Sequence, residues 1–296
     1  MMRIKQNLIA LLVCVFMLLI STTQLAAKSV QLDTPIEQYI QMADNDDALQ
    51  VAVVRFKPRT GDRNWYVDLV SAVHVADQSY YDELNKRFSG YDAVLYELVA
   101  PEGTKVIPAK NQSEAQSRPK SVLTSLQTTM TDVLGLTFQM EGVDYSPNHF
   151  IHADFSPDEF KQSMENKGES IAGMVLQMWR AGLARELTAG AGSQLSLFAI
   201  LMADDKQQAL KRVMAEELAG AESMMTAFEG PEGSTLVAAR NQKALAVLKR
   251  TLIDKKPQSV AIFYGAAHMQ DFQQRLINDF DLVPVSIEWL DAWNLE

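Results

Sequence analysis

Apolar and polar positions follow two different periods along this chain, and each change of period marks an element. Ala48 to Phe56 and Trp65 to Val73 are apolar-rich runs of strand length. The turn residues Pro58-Arg59-Thr60-Gly61-Asp62 separate them, so the pattern predicts a β-hairpin. From Asp77 to Phe88 the period lengthens, with Tyr80, Tyr81, Leu84 and Phe88 at helical spacing. Ser89-Gly90 stops that helix, and Ala93-Val94-Leu95-Tyr96 reads as a short buried strand.

Ala100 to Pro119 is polar and proline-bearing, a loop that fits a surface segment or a lid hinge. The chain then turns helical from Leu123. A capping box is expected at Ser156, with Pro157 in the first turn and Glu159 closing the box. Ile171 to Leu187 and Ser196 to Met225 continue the helical pattern on either side of Gly190-Ala191-Gly192. The stretch Ser234 to Ile253 is a further helix, Val260 to Tyr264 an apolar strand, Gln270 to Ile277 a helix and Leu282 to Ile287 the last strand. Strands and helices alternating at both ends imply an α/β fold. Its central sheet is expected to be mixed but largely parallel, built from two related β-α-β halves with a helical insertion over about 120–230.

The amino terminus changes the picture. Arg3 and Lys5 precede an apolar run from Leu8 to Ile20, and Leu25-Ala26-Ala27 is a plausible cleavage site. The run is shorter than the ~20 residues of a membrane span. Residues 1–27 therefore read as a signal peptide and 28–296 as a single exported domain, periplasmic or secreted, touching a membrane only through that segment. Cys14 lies inside the apolar run rather than at its end, so a lipid-modified cysteine is not expected. It is also the sole cysteine, so the mature chain has neither disulfides nor thiol chemistry. With 37 acidic and 27 basic residues the net charge is −10, and no basic stretch marks a nucleic-acid partner.

Two segments repeat one another. One runs through Ser71-Ala72-Val73-His74 and a helix to a strand followed by Glu97. The other runs through Gly265-Ala266-Ala267-His268 and a helix to a strand reaching Glu288. Each histidine follows the carboxyl end of a buried strand, the edge where open α/β sheets bind ligands. Glu97 leaves an apolar strand and needs a cation, a histidine or solvent. Glu288 mirrors it but reads as structural. His149, His152 and Asp154 tempt a metal assignment, yet Pro147 and the cap at Ser156 argue for an extended segment in which the two rings do not share a helical face. Asp154 is a candidate for lining the site. The methionines of the middle helices read as adaptable core filling.

These motifs, with Tyr96-Glu97-Leu98 and Arg240-Asn241, resemble the TraB/PrgY/GumN family. That family includes the Tiki proteins and is related to erythromycin esterases and ChaN-like haem-binding proteins. Its pattern places a glycine three residues before each histidine; Gly265 conforms, and Ser71 stands in that place before His74. The resemblance covers most of the mature chain. It implies a metal-dependent hydrolase, a peptidase before an esterase, with a divalent ion (Mn, Co or Zn) on His74, Glu97 and His268 and a peptide or small ester as substrate. Arg240 is then expected to stabilise developing negative charge or hold a substrate carboxylate. Two alternatives stand beside it. One is a metal-free esterase using His74 as base, and the other is a non-catalytic binder of haem, metal or a peptide signal.

Overall fold

The computed structural model describes residues 30–31, 36–61, 64–101, 103–104, 134–170, 173, 200, 202–228 and 233–296. The expected signal segment, most of the 100–119 loop, the helix expected from Leu123 and, but for residue 173, the one expected from Ile171 to Leu187 lie outside these. Among the described residues no helix is long and apolar enough to cross a membrane.

The strands are β1 (Val30–Gln31), β2 (Ile40–Met42), β3 (Ala48–Pro58), β4 (Tyr66–Ala72), β5 (Val75–Ala76), β6 (Ala93–Tyr96), β7 (Thr137–Phe138), β8 (Phe150–His152), β9 (Ser259–Gly265) and β10 (Leu282–Asn294). Helices α1 (Gln78–Phe88), α2 (Gln139–Gly142), α3 (Pro157–Asn166), α4 (Lys206–Phe228), α5 (Arg240–Asp254) and α6 (Met269–Phe280) connect them. An eight-stranded sheet has the order β1-β10-β3-β4-β9-β6-β8, with β2 also paired to β3; β5 and β7 make a separate small pair. The expected hairpin is present, β3 antiparallel to β4. Successive pairings give β2, β4, β6, β8, β9 and β10 one direction and leave only β1 and β3 opposed. The chain is thus α/β with a mixed, largely parallel sheet.

Both faces of the sheet are covered, which explains its nearly continuous apolar strands. Along β9, Ala261 and Phe263 pack on one side, and Val260, Ile262 and Tyr264 on the other. The first face receives Tyr80, Tyr81, Leu84 and Phe88 of α1, all four buried as their spacing implies. Helix α4 joins this side through Ala215, Leu210 and Met214, and its buried Lys211 binds Asp77 at 2.8 Å. The second face receives Ala244, Leu245 and Leu248 of α5 and Met269, Phe272 and Leu276 of α6.

The two β-α-β halves interleave. The unit β4-α1-β6 crosses one face and sets its return strand beyond β9. The unit β9-α6-β10 crosses the other face and returns beyond β3. Adjacent β4 and β9 therefore send their connections opposite ways, which opens a crevice at their carboxyl ends.

Close packing fixes the short helix α2 against α1. A Cβ built on Gly142 would lie 2.3 Å from Cδ2 and 2.8 Å from Cβ of Tyr81, so the ring cannot simply swing aside. Gly142→Ala is expected to destabilise the fold by about 1–3 kcal/mol, read as a lower midpoint in urea unfolding; an unchanged midpoint contradicts the packing.

Candidate functional site at the carboxyl edge of the sheet

Register brings four strand ends to one edge. Ala72 of β4 pairs with Gly265 of β9, Tyr96 of β6 with Phe263, and His152 of β8 with Tyr96. Just past these ends the chain places His74, His268, Glu97 and Asp154. Arg240 reaches the same spot from the first turn of α5, which follows a single π-helical turn at Thr235–Ala239. That wide turn divides the helix expected from Ser234 to Ile253.

Arg240 is buried and joins two carboxylates. Its Nε and Nη2 donate to Asp154 at 2.9 and 2.5 Å, and Nη2 also donates to Glu97 at 2.7 Å. The other oxygen of Glu97 accepts the backbone N–H of Gly265 at 2.8 Å. Burial alone would push the Glu97 carboxyl up. At the acid pH where it titrates, the charges facing it from His268, Arg240 and His74, with the Gly265 N–H, overcome that and hold it at about 2. Burial likewise opposes the charge on Arg240, but the bond to Asp154 and the Glu97 and Asp154 charges raise it, so the guanidinium stays ionised.

The two histidines differ in exposure. His268 is only 5 % exposed, its ring packed against Tyr264 and its Nε2 3.6 Å from Glu97 Oε1. Burial pushes its imidazole down, towards the neutral form, and outweighs the opposing pull of Glu97. Nδ1 of His268 meets Asn241 Oδ1 at 2.7 Å. His74 is exposed, with Nδ1 3.2 Å from Gln139 Oε1. Gln139 is itself anchored by its backbone N–H on the His74 carbonyl and by Nε2 on the Tyr145 hydroxyl.

Two expectations need correction. His74, Glu97 and His268 share an edge but do not form a metal-ligand set: among the described residues no group of three or more His, Cys, Asp or Glu is placed to hold an ion. Each Glu97 oxygen already accepts one hydrogen bond, Oε1 from Arg240 and Oε2 from Gly265, and the three donors do not converge on a common point. Arg240 is also largely committed: Nε and both Nη2 hydrogens are spent as above and one Nη1 hydrogen goes to the Leu236 carbonyl at 3.3 Å, which leaves no pair of N–H groups to grip a substrate carboxylate. Its work is to hold Glu97 and Asp154 in place.

The remaining polar residues sort clearly. His152 ends the extended β8 and His149 lies in the turn before it, their Nε2 atoms on the backbone carbonyls of Leu98 and Phe88. Glu288 pairs with Arg87, a structural contact away from this edge. Asp154 is a full member of the cluster. Gln139 and Asn241 had no role assigned from sequence: Asn241 was visible only as the neighbour of Arg240, and nothing in the pattern around Gln139 points to His74. No family model matches the chain, and neither curated proteins nor solved structures provide a match.

A depressed carboxyl makes stability depend on acid. The folded value of Glu97, about 2, lies below its ordinary 4.5, so its contribution is complete above pH 4.5 and is lost as pH falls towards 2. Glu97→Gln should therefore flatten the acid limb of stability between about pH 4.5 and pH 2, measured as urea midpoint against pH. An acid limb as steep as that of the wild type would contradict the assignment.

Proposed function

We propose that the protein is an exported hydrolase that cleaves a peptide or ester bond with water activated by His74, without requiring a metal ion. The observation that carries this reading is an exposed histidine within electrostatic reach of a largely enclosed, ionised carboxylate where the two halves of the sheet diverge. The resemblance to TraB/PrgY/GumN proteins, with their esterase relatives, points to the same chemistry.

In this reading His74 takes a proton from water while the oxygen attacks the substrate carbonyl carbon. The positive charge left on the ring lies within electrostatic reach of Glu97, which Arg240 and Gly265 keep ionised and still. The same proton then passes to the leaving nitrogen or oxygen as its bond to carbon breaks. Gln139 fixes the ring plane of His74 from the side away from the reaction. Because these groups are already oriented, little reorganisation accompanies the charge change.

The test is hydrolysis of a p-nitrophenyl ester series and of a casein digest by the purified protein, with and without EDTA. The expected result is turnover that survives the chelator and falls about 10²–10⁴-fold in His74→Ala. Activity abolished by EDTA and restored by Mn, Co or Zn would overturn the metal-free mechanism. Absence of hydrolysis, or an unchanged rate in the variant, would overturn the hydrolase reading itself.

A further inference from the structure

A neutral imidazole has one proton to place, and His268 has two groups competing for it. Glu97 Oε1 stands 3.6 Å from Nε2, and Asn241 Oδ1 stands 2.7 Å from Nδ1. The carboxylate carries the charge, so on electrostatics alone the proton would sit on Nε2. The orientation of the Asn241 amide decides otherwise. Its Nδ2 donates to the His268 backbone carbonyl at 2.9 Å and to Asp271 Oδ2 at 2.8 Å. Both partners are pure acceptors, so the amide cannot be turned round without losing both bonds and setting its oxygen against two others. Asp271 is held in turn by Arg275 at 2.7 Å. The oxygen of Asn241 must therefore face Nδ1, and an oxygen there can only accept.

We propose that Asn241, oriented by Asp271, is a positioning residue that keeps the proton of His268 on Nδ1 and presents Nε2 as an acceptor towards Glu97. Asn241 lies on α5, His268 in the turn before α6 and Asp271 on α6, while Glu97 follows β6; Asn241 is fully buried. The arrangement has a consequence for what the edge can bind. Nε2 and Glu97 Oε1 are then neighbouring acceptors, so a group bound beside them must bring hydrogens or positive charge, as a water molecule or an amine does. The proposal deepens the hydrolase reading by giving His268 the part of an acceptor for a water or a substrate N–H, and to that extent it rests on that reading.

The tautomer is read without substrate, so its failure and that of the hydrolase reading are separable. The protein has four histidines, and long-range ¹H–¹⁵N correlation resolves the two nitrogens of each ring. His268→Gln assigns the signal. The expected wild-type result at neutral pH is a pyrrole-like Nδ1 and a pyridine-like Nε2. Asn241→Ala removes the acceptor, and the proton should move to Nε2, reversing the two shifts. If that variant does not fold, Asp271→Asn leaves the ring untouched and frees the Asn241 amide to turn; averaged shifts are then expected. A wild-type proton on Nε2, a ring protonated on both nitrogens, or unchanged shifts in a folded variant would overturn the proposal. In any ester hydrolysis assay, Asn241→Ala should lower kcat with KM nearly unchanged, a split that a purely structural role would not produce.

Discussion

Arg240 stands between two carboxylates that arrive on different strands, and the carboxyl edge of the sheet is arranged around that contact. Glu97 follows β6, Asp154 follows β8, and the guanidinium reaches both from α5. Three buried ionised groups are costly to assemble, and the cost is recovered only when the geometry is close and the remaining polar atoms are satisfied. Here the second Glu97 oxygen has the Gly265 N–H, and Arg240 Nη1 has a backbone carbonyl. One element out of place would leave a charge unpaired, so the helix and the strand ends constrain one another. A second ion pair, the partly exposed Arg55 with the buried Asp68 at 2.8 Å, lies within the β3–β4 hairpin, with the Tyr91 hydroxyl also donating to Asp68.

The topology explains why these groups meet at all. Parallel strands bring their carboxyl ends to a common edge, and β4, β9, β6 and β8 are neighbours there. The crossovers of β4 and β9 leave on opposite faces, so neither helix closes the space above them. The repeat in the sequence becomes two histidines at adjacent strand ends, one exposed and one enclosed. Their surroundings divide the work. His74 faces outward on a glutamine, while His268 is walled by Tyr264 and held by Asn241.

Much of this was legible in the chain. The spacing of Tyr80, Tyr81, Leu84 and Phe88 marked the buried face of α1, and the Ser156–Glu159 capping box is formed in both directions. The strand ends carrying His74, Glu97 and His268 were marked by where apolar runs stop. Long-range partners were not legible. Asp154 is 86 positions from Arg240, and it follows a three-residue strand too short to show a period. β10 runs to Asn294 because its later polar residues alternate with Leu290, Ala292 and Trp293, which bury while the polar ones do not. Whether the expected ligands converge was not legible for a related reason: residue types reveal which donors are present, not how the fold spaces them, and among the described residues no group of three is placed to hold an ion.

The central claim is that Glu97 and Arg240 act as one charged unit at this edge. A double-mutant cycle of Glu97→Gln and Arg240→Met, read as urea unfolding free energy at neutral pH, tests it most directly. The account predicts that the two losses are not additive, with a coupling of about 1–3 kcal/mol. Additive losses, with coupling within about 0.5 kcal/mol of zero, would show that the two side chains stabilise the fold independently and would contradict it.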